Sequence, residues 1–502
     1  MQPASNATKG FPSGRPRPPS NKGRYWISTY GCQMNVHDSE IYAGQLDRLG
    51  FVPAPAPEEA DLILVNTCSV REKAEDKLFS ELGRLRRLKG SRTDARANRE
   101  TSTGLADAPA LPGSVTIGVT GCIAQQRGAQ ILEREGSVDF VLGTRAIRAL
   151  PSVLETLANG AGPQVITDDL VDFDASAARR QDFVKAFVTI MEGCNNYCSF
   201  CIVPQTRGLE IYRPAADIID EVLGLGLRGY REVTLLGQNV NSWIDPDSGM
   251  SFPELLRRLD RVLSEADANR IERIRFLTPH PKDLSADCIA AMADCSKVAK
   301  HIHLPVQSGS DAVLRRMNRH YTREGYLQLV DSLRRALPGV GLSTDLIVGY
   351  PGESERDYEA TLELVRQAHY DSVYAFEYSP RPGTSAMREE STVPAAIKRR
   401  RLIQLQQLQR HLQLESHSAW HGRTVEILVD SVSKRSRDDL SGRTSRNQIV
   451  NFAGHPRLIG HLVNVRITGS GANSLYGLRL NAPAWRALPR DQRKPTPRRP
   501  DA

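Results

Sequence analysis

The sequence predicts an α/β protein with three folded units: a parallel-sheet α/β unit, a partial (β/α)6 barrel and a small all-β barrel. Two observations predict this architecture. Short apolar runs alternate with helical patterns through most of the chain, and only short strand-like runs follow the last long helix. The length agrees, because 502 residues exceed what one hydrophobic core usually holds.

The first unit is predicted to span residues 24–158. Apolar runs at 25–29, 62–65, 115–119 and 138–142 precede helical patterns, which is typical of strands in a parallel sheet. Residues 1–23 are rich in Pro, Ser, Asn, Lys and Arg, and we expect a disordered tail there. Residues 90–114 lack an apolar period, so we expect a disordered surface insertion that is dispensable for folding.

The second unit is predicted to span residues 180–415, after a linker at 160–180. Strands are expected at 186–191, 232–236, 273–277, 301–305, 342–348 and 373–377, with helices at 215–227, 252–263, 323–337 and 355–368 between them. A long amphipathic helix follows at 395–418. Six strand–helix repeats indicate a partial barrel, whose active site is expected at the carboxyl ends of the strands.

The third unit is predicted to span residues 418–483 as a small all-β barrel, with strands at 425–429, 448–452, 462–467 and 475–478. Residues 484–502, rich in Arg and Pro, are expected to form a disordered basic tail. Residues 418–481 contain nine Lys or Arg against four acids, a net +5 out of +8 for the whole chain. This excess favours a phosphate-binding surface, although a solvated basic face has the same composition.

Eight cysteines are present, and no signal peptide or membrane-spanning run is evident, so we expect a cytoplasmic protein. Cytosolic thiols stay reduced, which points to metal binding or catalysis before disulfides. Cys194, Cys198 and Cys201 form CxxxCxxC directly after the first strand of the second unit. Three thiolates on one loop hold three irons of a cubane and leave the fourth iron open. A zinc site would need a second pair of ligands, and none follows.

Three further cysteines, Cys32, Cys68 and Cys122, each follow the end of a predicted strand in the first unit. Because the carboxyl ends of parallel strands lie side by side, we expect the three thiols to meet. One cysteine beside an apolar strand is usually a small core residue, but three in the same position predict a second cluster. Cys288 and Cys295, on a predicted barrel helix, are interpreted as core residues.

The chain resembles the methylthiotransferase family of radical S-adenosylmethionine enzymes over about residues 24–480. The cysteine spacing, with an aromatic residue before the last Cys, is that of the superfamily. Runs that match the family are TYGCQMN (29–35), NTCSVREKA (66–74), GCIAQ (121–125), MEGC (191–194), LGQNV (236–240), LPVQSGS (304–310) and DLIVGYPGE (345–353).

The resemblance implies a methylthiotransferase N-terminal domain, a radical S-adenosylmethionine core domain and a TRAM RNA-binding domain in the three predicted units. It implies that Cys194, Cys198 and Cys201 hold the 4Fe-4S cluster that binds S-adenosylmethionine. Cys32, Cys68 and Cys122 would hold an auxiliary 4Fe-4S cluster. S-adenosylmethionine would serve as methyl donor and as radical source, and both clusters would face one cavity. The strand-end loops at 237–239 and 307–308 are candidates for further contacts to S-adenosylmethionine. A role of these residues in loop packing agrees equally well with their positions.

The implied reaction is methylthiolation of carbon 2 of N(6)-isopentenyladenosine at position 37 of tRNA. Implied partners are tRNA, an external electron donor of the flavodoxin or ferredoxin type, and a sulfur donor, with the enzyme as a monomer. Two other branches of the family remain open, one acting on threonylcarbamoyladenosine in tRNA and one on an aspartate of a ribosomal protein. The latter typically reads Pro-Lys where this chain has Gln33 and Met34. An alternative to any enzymatic function is that the protein is a noncatalytic regulator that binds RNA and carries iron–sulfur clusters.

Overall fold

A computed structural model describes residues 22–69, 74–97, 115–168, 178–389, 393–434 and 436–480. Within these ranges no helix combines the length and apolarity needed to cross a bilayer. Three folded units follow one another, as predicted: a parallel sheet, two three-stranded sheets that together form an open barrel, and a closed barrel.

The first unit is a six-stranded parallel sheet in the order β2-β1-β3-β4-β5-β6. Helices α1 and α5 cover one face, and α2, α3 and α4 cover the other, so both faces bury apolar side chains. The strands are Gly23–Tyr30, Phe51–Pro53, Leu62–Thr67, Thr116–Gly121, Phe140–Leu142 and Gln164–Ile166 (β1 to β6). The helices are Gln33–Arg48, Ala74–Ala97, Cys122–Arg127, Ala129–Arg134 and Leu150–Ala158 (α1 to α5).

Three boundaries of the first unit differ from the prediction. Helix α2 continues to Ala97 instead of ending before residue 90. Extending a helix that has already formed costs less than starting one, which offsets the weak helix propensity of the Gly, Ser, Thr and Asp residues in 90–97. Strand β6 lies inside the expected linker; it is a short edge strand without buried residues, so its apolar signal is weak. Strand β1 begins at Gly23, inside the expected tail. Residues 1–21, 98–114, 169–177 and 481–502 of the predicted tails, insertion and linker lie outside the described residues.

The second unit is the predicted partial barrel. Parallel strands β11-β10-β7 and β12-β13-β14 form two sheets, and a parallel bridge between Ile274 and Val298 connects them at β11. The six strands are Lys185–Thr189 (β7), Glu232–Leu236 (β10), Arg273–Phe276 (β11), His301–His303 (β12), Gly341–Val348 (β13) and Ser372–Glu377 (β14). A short antiparallel pair, Met191–Glu192 (β8) and Ile211–Tyr212 (β9), follows β7.

Helices cover the outer face of this barrel and bury its largest apolar cluster. The long α13 packs on β14 and α12 and leads to the third unit. The helices are Val203–Thr206 (α6), Ala215–Leu227 (α7), Phe252–Glu265 (α8), Ala286–Asp294 (α9), Asp311–Arg316 (α10), Arg323–Ala336 (α11), Glu355–Ala368 (α12) and Ala395–Ser418 (α13).

The third unit is a closed five-stranded barrel in the order β15-β16-β17-β19-β18. Its strands are Thr424–Val432, Asp439–Thr444, Ile449–Ala453, Leu462–Ser470 and Leu475–Arg479 (β15 to β19). The prediction missed β16, whose sequence DLSGRT contains a single large apolar residue; its pairing with β15 and β17 in the closed barrel makes it a strand.

The small barrel packs against the amino-terminal ends of the large barrel's strands. Arg275 on β11 donates hydrogen bonds to the carbonyl oxygens of Thr444 (2.9 Å) and Ser445 (3.1 Å). Arg446 forms an ion pair with Asp371, just before β14, at 3.0 Å. The end of the large barrel opposite its cysteine loop is therefore in contact with the third unit.

Candidate iron–sulfur sites at the domain junction

Cys32, Cys68 and Cys122 meet at the carboxyl edge of the parallel sheet. In the strand register Tyr30 lies beside Thr67, and Thr67 lies beside Gly121, so each cysteine follows the same row of the sheet. The carboxyl ends of β1, β3 and β4 are consecutive in the sheet, and this edge is where open α/β sheets bind their ligands. The structure thus brings together the three thiols that the sequence placed in separate loops.

Buried amides hold this edge of the sheet in place. The Asn35 side chain accepts a hydrogen bond from the Cys32 backbone amide (3.2 Å) and donates to the Asn66 side chain (3.0 Å). The Asn66 side chain donates in turn to the Asn35 carbonyl and to the Ser39 hydroxyl, both at 2.9 Å. Cys32 and the strand end that precedes Cys68 therefore belong to one polar network, which fixes the loops that carry the two thiols.

The three thiols influence one another's ionisation. A hydrogen bond with Cys68 lowers the pKa of Cys32 to about 6 and that of Cys122 to about 7, and the nearby Arg207 guanidinium acts in the same direction. The hydrogen bonds with Cys122 and Cys32, together with burial, raise the pKa of Cys68. Both effects favour the thiolate, the form that binds metal, at Cys32 and Cys122.

The second triad occupies the loop that follows β7. The β8–β9 pair closes the base of this loop, with Met191 beside Tyr212. The Cys194 backbone amide donates to the Gly208 carbonyl (3.1 Å), and the Asn196 side chain donates to Cys194 Sγ (3.4 Å). Both contacts order the first half of the loop.

Contacts from the end of α10, from the segment after it and from the loop after β13 order the second half of this loop. The Asn318 side chain donates to the carbonyl oxygens of Asn196 (3.3 Å) and Tyr197 (3.0 Å). The Ser199 hydroxyl lies 2.8 Å from the Arg316 carbonyl oxygen and 2.8 Å from the Tyr350 hydroxyl. The loop is therefore held from two sides.

Arg319 contacts a thiol of this triad directly. Its Nη1 donates to Cys198 Sγ at 3.3 Å, while Nη2 donates to the Pro305 carbonyl (2.7 Å) and Nε to the Tyr321 hydroxyl (2.7 Å). Burial raises the pKa of Cys201 to about 12 and also raises that of Cys194. The Arg319 guanidinium acts in the opposite direction on Cys201 and lowers the pKa of that thiol.

Arg207 connects the two triads. It follows α6, the helix after the cysteine loop, and forms a buried ion pair with Asp38 on α1, the helix that begins beside Cys32. The same guanidinium lies 3.5 Å from Glu192 on β8. Burial raises the pKa of Glu192 to about 7. Both cysteine groups therefore border one junction between the first and second units.

The thiol sets fit iron–sulfur clusters. All eight cysteines are free thiols, and across the described ranges no group of three or more His, Cys, Asp or Glu side chains is arranged for a single metal ion. A cubane differs from a single ion because each cysteine binds its own iron. Cys288 and Cys295 are buried in the barrel's apolar cluster, as their interpretation as core residues requires.

The strand-end loops proposed for S-adenosylmethionine contacts are held by local hydrogen bonds. The Gln238 side chain accepts from the Gly193 amide at 2.5 Å, and the Asn239 side chain donates to Asp283 at 2.9 Å. Ser308 is fully buried, and its hydroxyl lies 3.5 Å from that of Thr361. Gln238 therefore supports the cysteine loop, and Ser308 packs against helix α12.

Family models match all three units of the chain. The Uncharacterized protein family UPF0004 matches residues 24–143, the Radical SAM superfamily residues 188–365 and the TRAM domain residues 419–478. A tRNA-2-methylthio-N(6)-dimethylallyladenosine synthase of Carboxydothermus hydrogenoformans is 44% identical over 90% of this chain and 98% of its own length. The chain belongs to this synthase family. A synthase of the same name from Syntrophus aciditrophicus is 43% identical over 91% of this chain and 94% of its own length. The predicted membership in the methylthiotransferases is thereby confirmed.

Solved structures share the fold of this synthase family member at low sequence identity. The radical S-adenosylmethionine methyltransferase TsrM from Kitasatospora setae, with cobalamin and a [4Fe-4S] cluster bound, gives a TM-score of 0.52 at 13% identity. The match covers 73% of this chain and 77% of that one. The same enzyme with tryptophan and a SAM analogue gives 0.53 at 14% identity over 72% and 75%. These likenesses support the α/β fold with its partial barrel.

The sequence did not predict that Arg207 and Arg319 belong to the site of this member of the synthase family. Arg207 stands next to Thr206 and Gly208, and Arg319 next to Asn318, and neither neighbourhood has a spacing that indicates a metal-site residue. Their roles depend on contacts with residues more than a hundred positions away, Asp38 and Cys198. Asn35 and Asn66 lie in runs that match the family, but only the structure shows that they bond to each other.

Proposed function

We propose that this protein methylthiolates carbon 2 of N(6)-isopentenyladenosine at position 37 of tRNA. The observation that carries the proposal is family membership: relatives 43–44% identical over about nine-tenths of the chain bear the name of the synthase for this nucleoside. The closed β-barrel that matches the TRAM domain supports an RNA substrate.

Two 4Fe-4S clusters and S-adenosylmethionine are the proposed cofactors. Cys194, Cys198 and Cys201 would hold the cluster that binds S-adenosylmethionine, and Cys32, Cys68 and Cys122 would hold the auxiliary cluster. When bound, these groups would supply both the methylthio group and the radical that removes hydrogen from the adenine. Each triad contributes three thiols, which leaves one iron of each cluster for a ligand from outside the protein.

The protein's own residues orient these groups. The Asn35–Asn66 pair fixes the loops of the auxiliary triad, and Arg319 donates to Cys198 in the other triad. Arg207 and Asp38 hold the two units together between the triads while remaining buried. A reaction that uses both clusters on one carbon atom requires such a fixed junction, because small displacements of reacting groups slow the transfer.

Further partners belong to the same proposal. An external electron donor of the flavodoxin or ferredoxin type would reduce the cluster, a sulfur donor would restore the auxiliary site, and the enzyme would act as a monomer. We propose the cytoplasm as its location, because mature tRNA is the substrate.

A direct experiment compares substrates for the reduced, reconstituted enzyme. Prenylated tRNA, unprenylated tRNA, tRNA with threonylcarbamoyladenosine and the ribosomal protein would be incubated separately with S-adenosylmethionine. Mass spectrometry of nucleosides and peptides should find the methylthio group on prenylated tRNA alone. Modification of the ribosomal protein, or equal turnover of unprenylated tRNA, would contradict the proposed substrate. If S-adenosylmethionine is not cleaved with any substrate, the noncatalytic regulator becomes the better explanation.

A further inference from the structure

Strands β12, β13 and β14 present a row of polar and aromatic side chains to the inside of the partial barrel. Alternate residues of these strands, such as Ile302, Leu346 and Ala375, belong to or pack on the apolar cluster under the outer helices. Neighbouring residues on a strand point to opposite faces. His303, Asp345, Tyr374 and Phe376 therefore face the barrel interior.

These side chains form one continuous surface, which we call the β14 inner face and define as His303, Asp345, Tyr374 and Phe376. In the strand register Asp345 lies beside Tyr374, and Ile347 lies beside Phe376. His303 Nε2 is 3.4 Å from Asp345 Oδ2, and the ring of His303 meets that of Tyr374 edge-on with centroids 5.8 Å apart. Tyr374 and Phe376 are each 53% exposed.

The β14 inner face lies between the third unit and the cysteine loop. At the amino-terminal end of β14, Asp371 pairs with Arg446 of the small barrel. Beyond the carboxyl end, Tyr378 belongs to an apolar cluster on which Phe200, between two cysteines of the loop, also packs. In the described part of the chain β14 is the last strand of its sheet, so its inner face borders the open side of the barrel.

Half-exposed aromatic rings on a concave inner face contribute little to folding, since their apolar area remains in water. Such rings are instead suited to stack on the bases of nucleic acids. The rings here stand next to a carboxylate that accepts hydrogen bonds, so the surface combines an apolar wall with one acceptor. That combination matches an aromatic base with an uncharged apolar substituent and an N–H group.

We infer that the β14 inner face binds the target nucleoside: Tyr374 and Phe376 contact the adenine and its isopentenyl group, and Asp345 accepts a hydrogen bond from N(6)–H. This assignment rests on the proposed function and explains its substrate choice. Unprenylated adenosine leaves the apolar wall uncovered. A threonylcarbamoyl group brings its own carboxylate toward Asp345, and like charges at close range repel.

The test measures binding of anticodon stem-loop RNAs to the full-length, reconstituted enzyme. Three RNAs differ only at the target nucleoside: isopentenyladenosine, adenosine or threonylcarbamoyladenosine. The variants are Tyr374→Ala/Phe376→Ala, the conservative pair Tyr374→Phe/Phe376→Tyr, and Asp345→Asn. Phe183→Ala is the matched control, because this ring is 63% exposed but precedes β7, at the opposite end of the barrel from the cysteine loop. Iron content checks that each variant retains its clusters.

Wild-type enzyme should bind the prenylated RNA at least about tenfold more tightly than the adenosine RNA, because only the isopentenyl group buries additional apolar area against the two rings. The double alanine variant should reduce this ratio to within about twofold. The conservative pair and Phe183→Ala should keep the ratio, and Asp345→Asn should weaken discrimination against threonylcarbamoyladenosine. If the wild-type ratio survives in a double alanine variant with full iron content, the β14 inner face is not the binding site. If wild-type enzyme itself shows no preference for the prenylated RNA, the proposed substrate fails together with this assignment.

Discussion

Arg207 of the barrel and Asp38 of the first unit form an ion pair in which each side chain is only 3% exposed. Asp38 lies on the helix that follows Cys32, and Arg207 lies on the segment that follows the barrel's cysteine loop. The charges are buried at the place where the two cysteine groups approach each other. Removing Arg207 would leave the buried Asp38 carboxylate without its partner and close to Glu192, where water does not solvate it.

We therefore expect Arg207→Gln to destabilise the protein by about 3–5 kcal/mol and to uncouple its chemistry. Uncoupling means that cleavage of S-adenosylmethionine continues while methylthiolated product falls, because the two units no longer keep a fixed arrangement. Denaturant unfolding and the ratio of 5′-deoxyadenosine to product measure the two effects. Arg257→Gln is the control, since its ion pair with Asp287 is exposed and contributes at most about 1 kcal/mol. Unchanged stability and an unchanged product ratio in Arg207→Gln would refute the role of this pair.

The two cysteine groups should account for all cluster iron. Reconstituted protein is expected to carry about eight irons, as two four-iron cubanes imply. Replacing Cys194, Cys198 and Cys201 with Ala should halve the iron and abolish cleavage of S-adenosylmethionine, whereas replacing Cys32, Cys68 and Cys122 should halve the iron and leave some uncoupled cleavage. Replacing the core residues Cys288 and Cys295 should leave the iron content complete. Full iron in either triple variant would show that the ligands are elsewhere.

Arg319 should tune the cluster that it contacts. Its guanidinium donates to Cys198 Sγ, and hydrogen bonds to cluster sulfurs help to set reduction potential. Arg319→Gln removes a buried positive charge, so the cluster should become harder to reduce and cleavage of S-adenosylmethionine should slow. Arg319→Lys keeps the charge but changes the hydrogen bonds, so its reduction potential should lie between those of wild type and Arg319→Gln. Redox titration followed by electron paramagnetic resonance measures the shift. A potential equal to wild type in Arg319→Gln would limit Arg319 to holding the loop.

Exposed basic residues of the small barrel should bind RNA phosphates. Lys434, Arg437, Arg457 and Arg466 are exposed, whereas Arg446 is engaged with the large barrel. Changing these four to Gln should weaken tRNA binding and reduce the slope of log K against log salt by about 0.7–0.9 for each phosphate that is no longer neutralised. A control set changes four exposed arginines of the large barrel's helices instead, at positions 258, 261, 356 and 366. Equal slopes in the two sets would identify the basic excess as a solvated surface.

Substitution tests this surface better than deletion of the unit. Arg275 is buried and uses the carbonyl oxygens of Thr444 and Ser445 as acceptors. Removing the small barrel would take away these two acceptors and expose the end of the large barrel that the small barrel covers, although Arg275 Nε would keep its ion pair with Glu232. Weaker RNA binding after such a deletion would not separate lost phosphate contacts from a disturbed large barrel.

Local sequence determined most elements and the cluster ligands. Apolar runs placed β10 and helices α7, α12 and α13 at the residues that the structure shows, because long periodic patterns depend little on distant contacts. The cysteine groups were predictable for the same reason. The group in the second unit has a short CxxxCxxC spacing. In the first unit, each cysteine follows the end of a predicted parallel strand, and the pairing of Tyr30 with Thr67 and of Thr67 with Gly121 brings these strand ends together.

Strands β6 and β16 and the contacts that orient the site depended on tertiary structure. Both strands lack a strong apolar signal and are strands because a neighbouring strand pairs with them. The contacts of Arg207 with Asp38, of Arg319 with Cys198 and of Tyr374 with His303 join residues that are distant in sequence. No spacing within the chain identifies them. Thiols at strand ends can be predicted from local pattern because the pattern sets the strands, whereas a buried charge or an exposed ring acquires its role only from the residues that folding brings beside it.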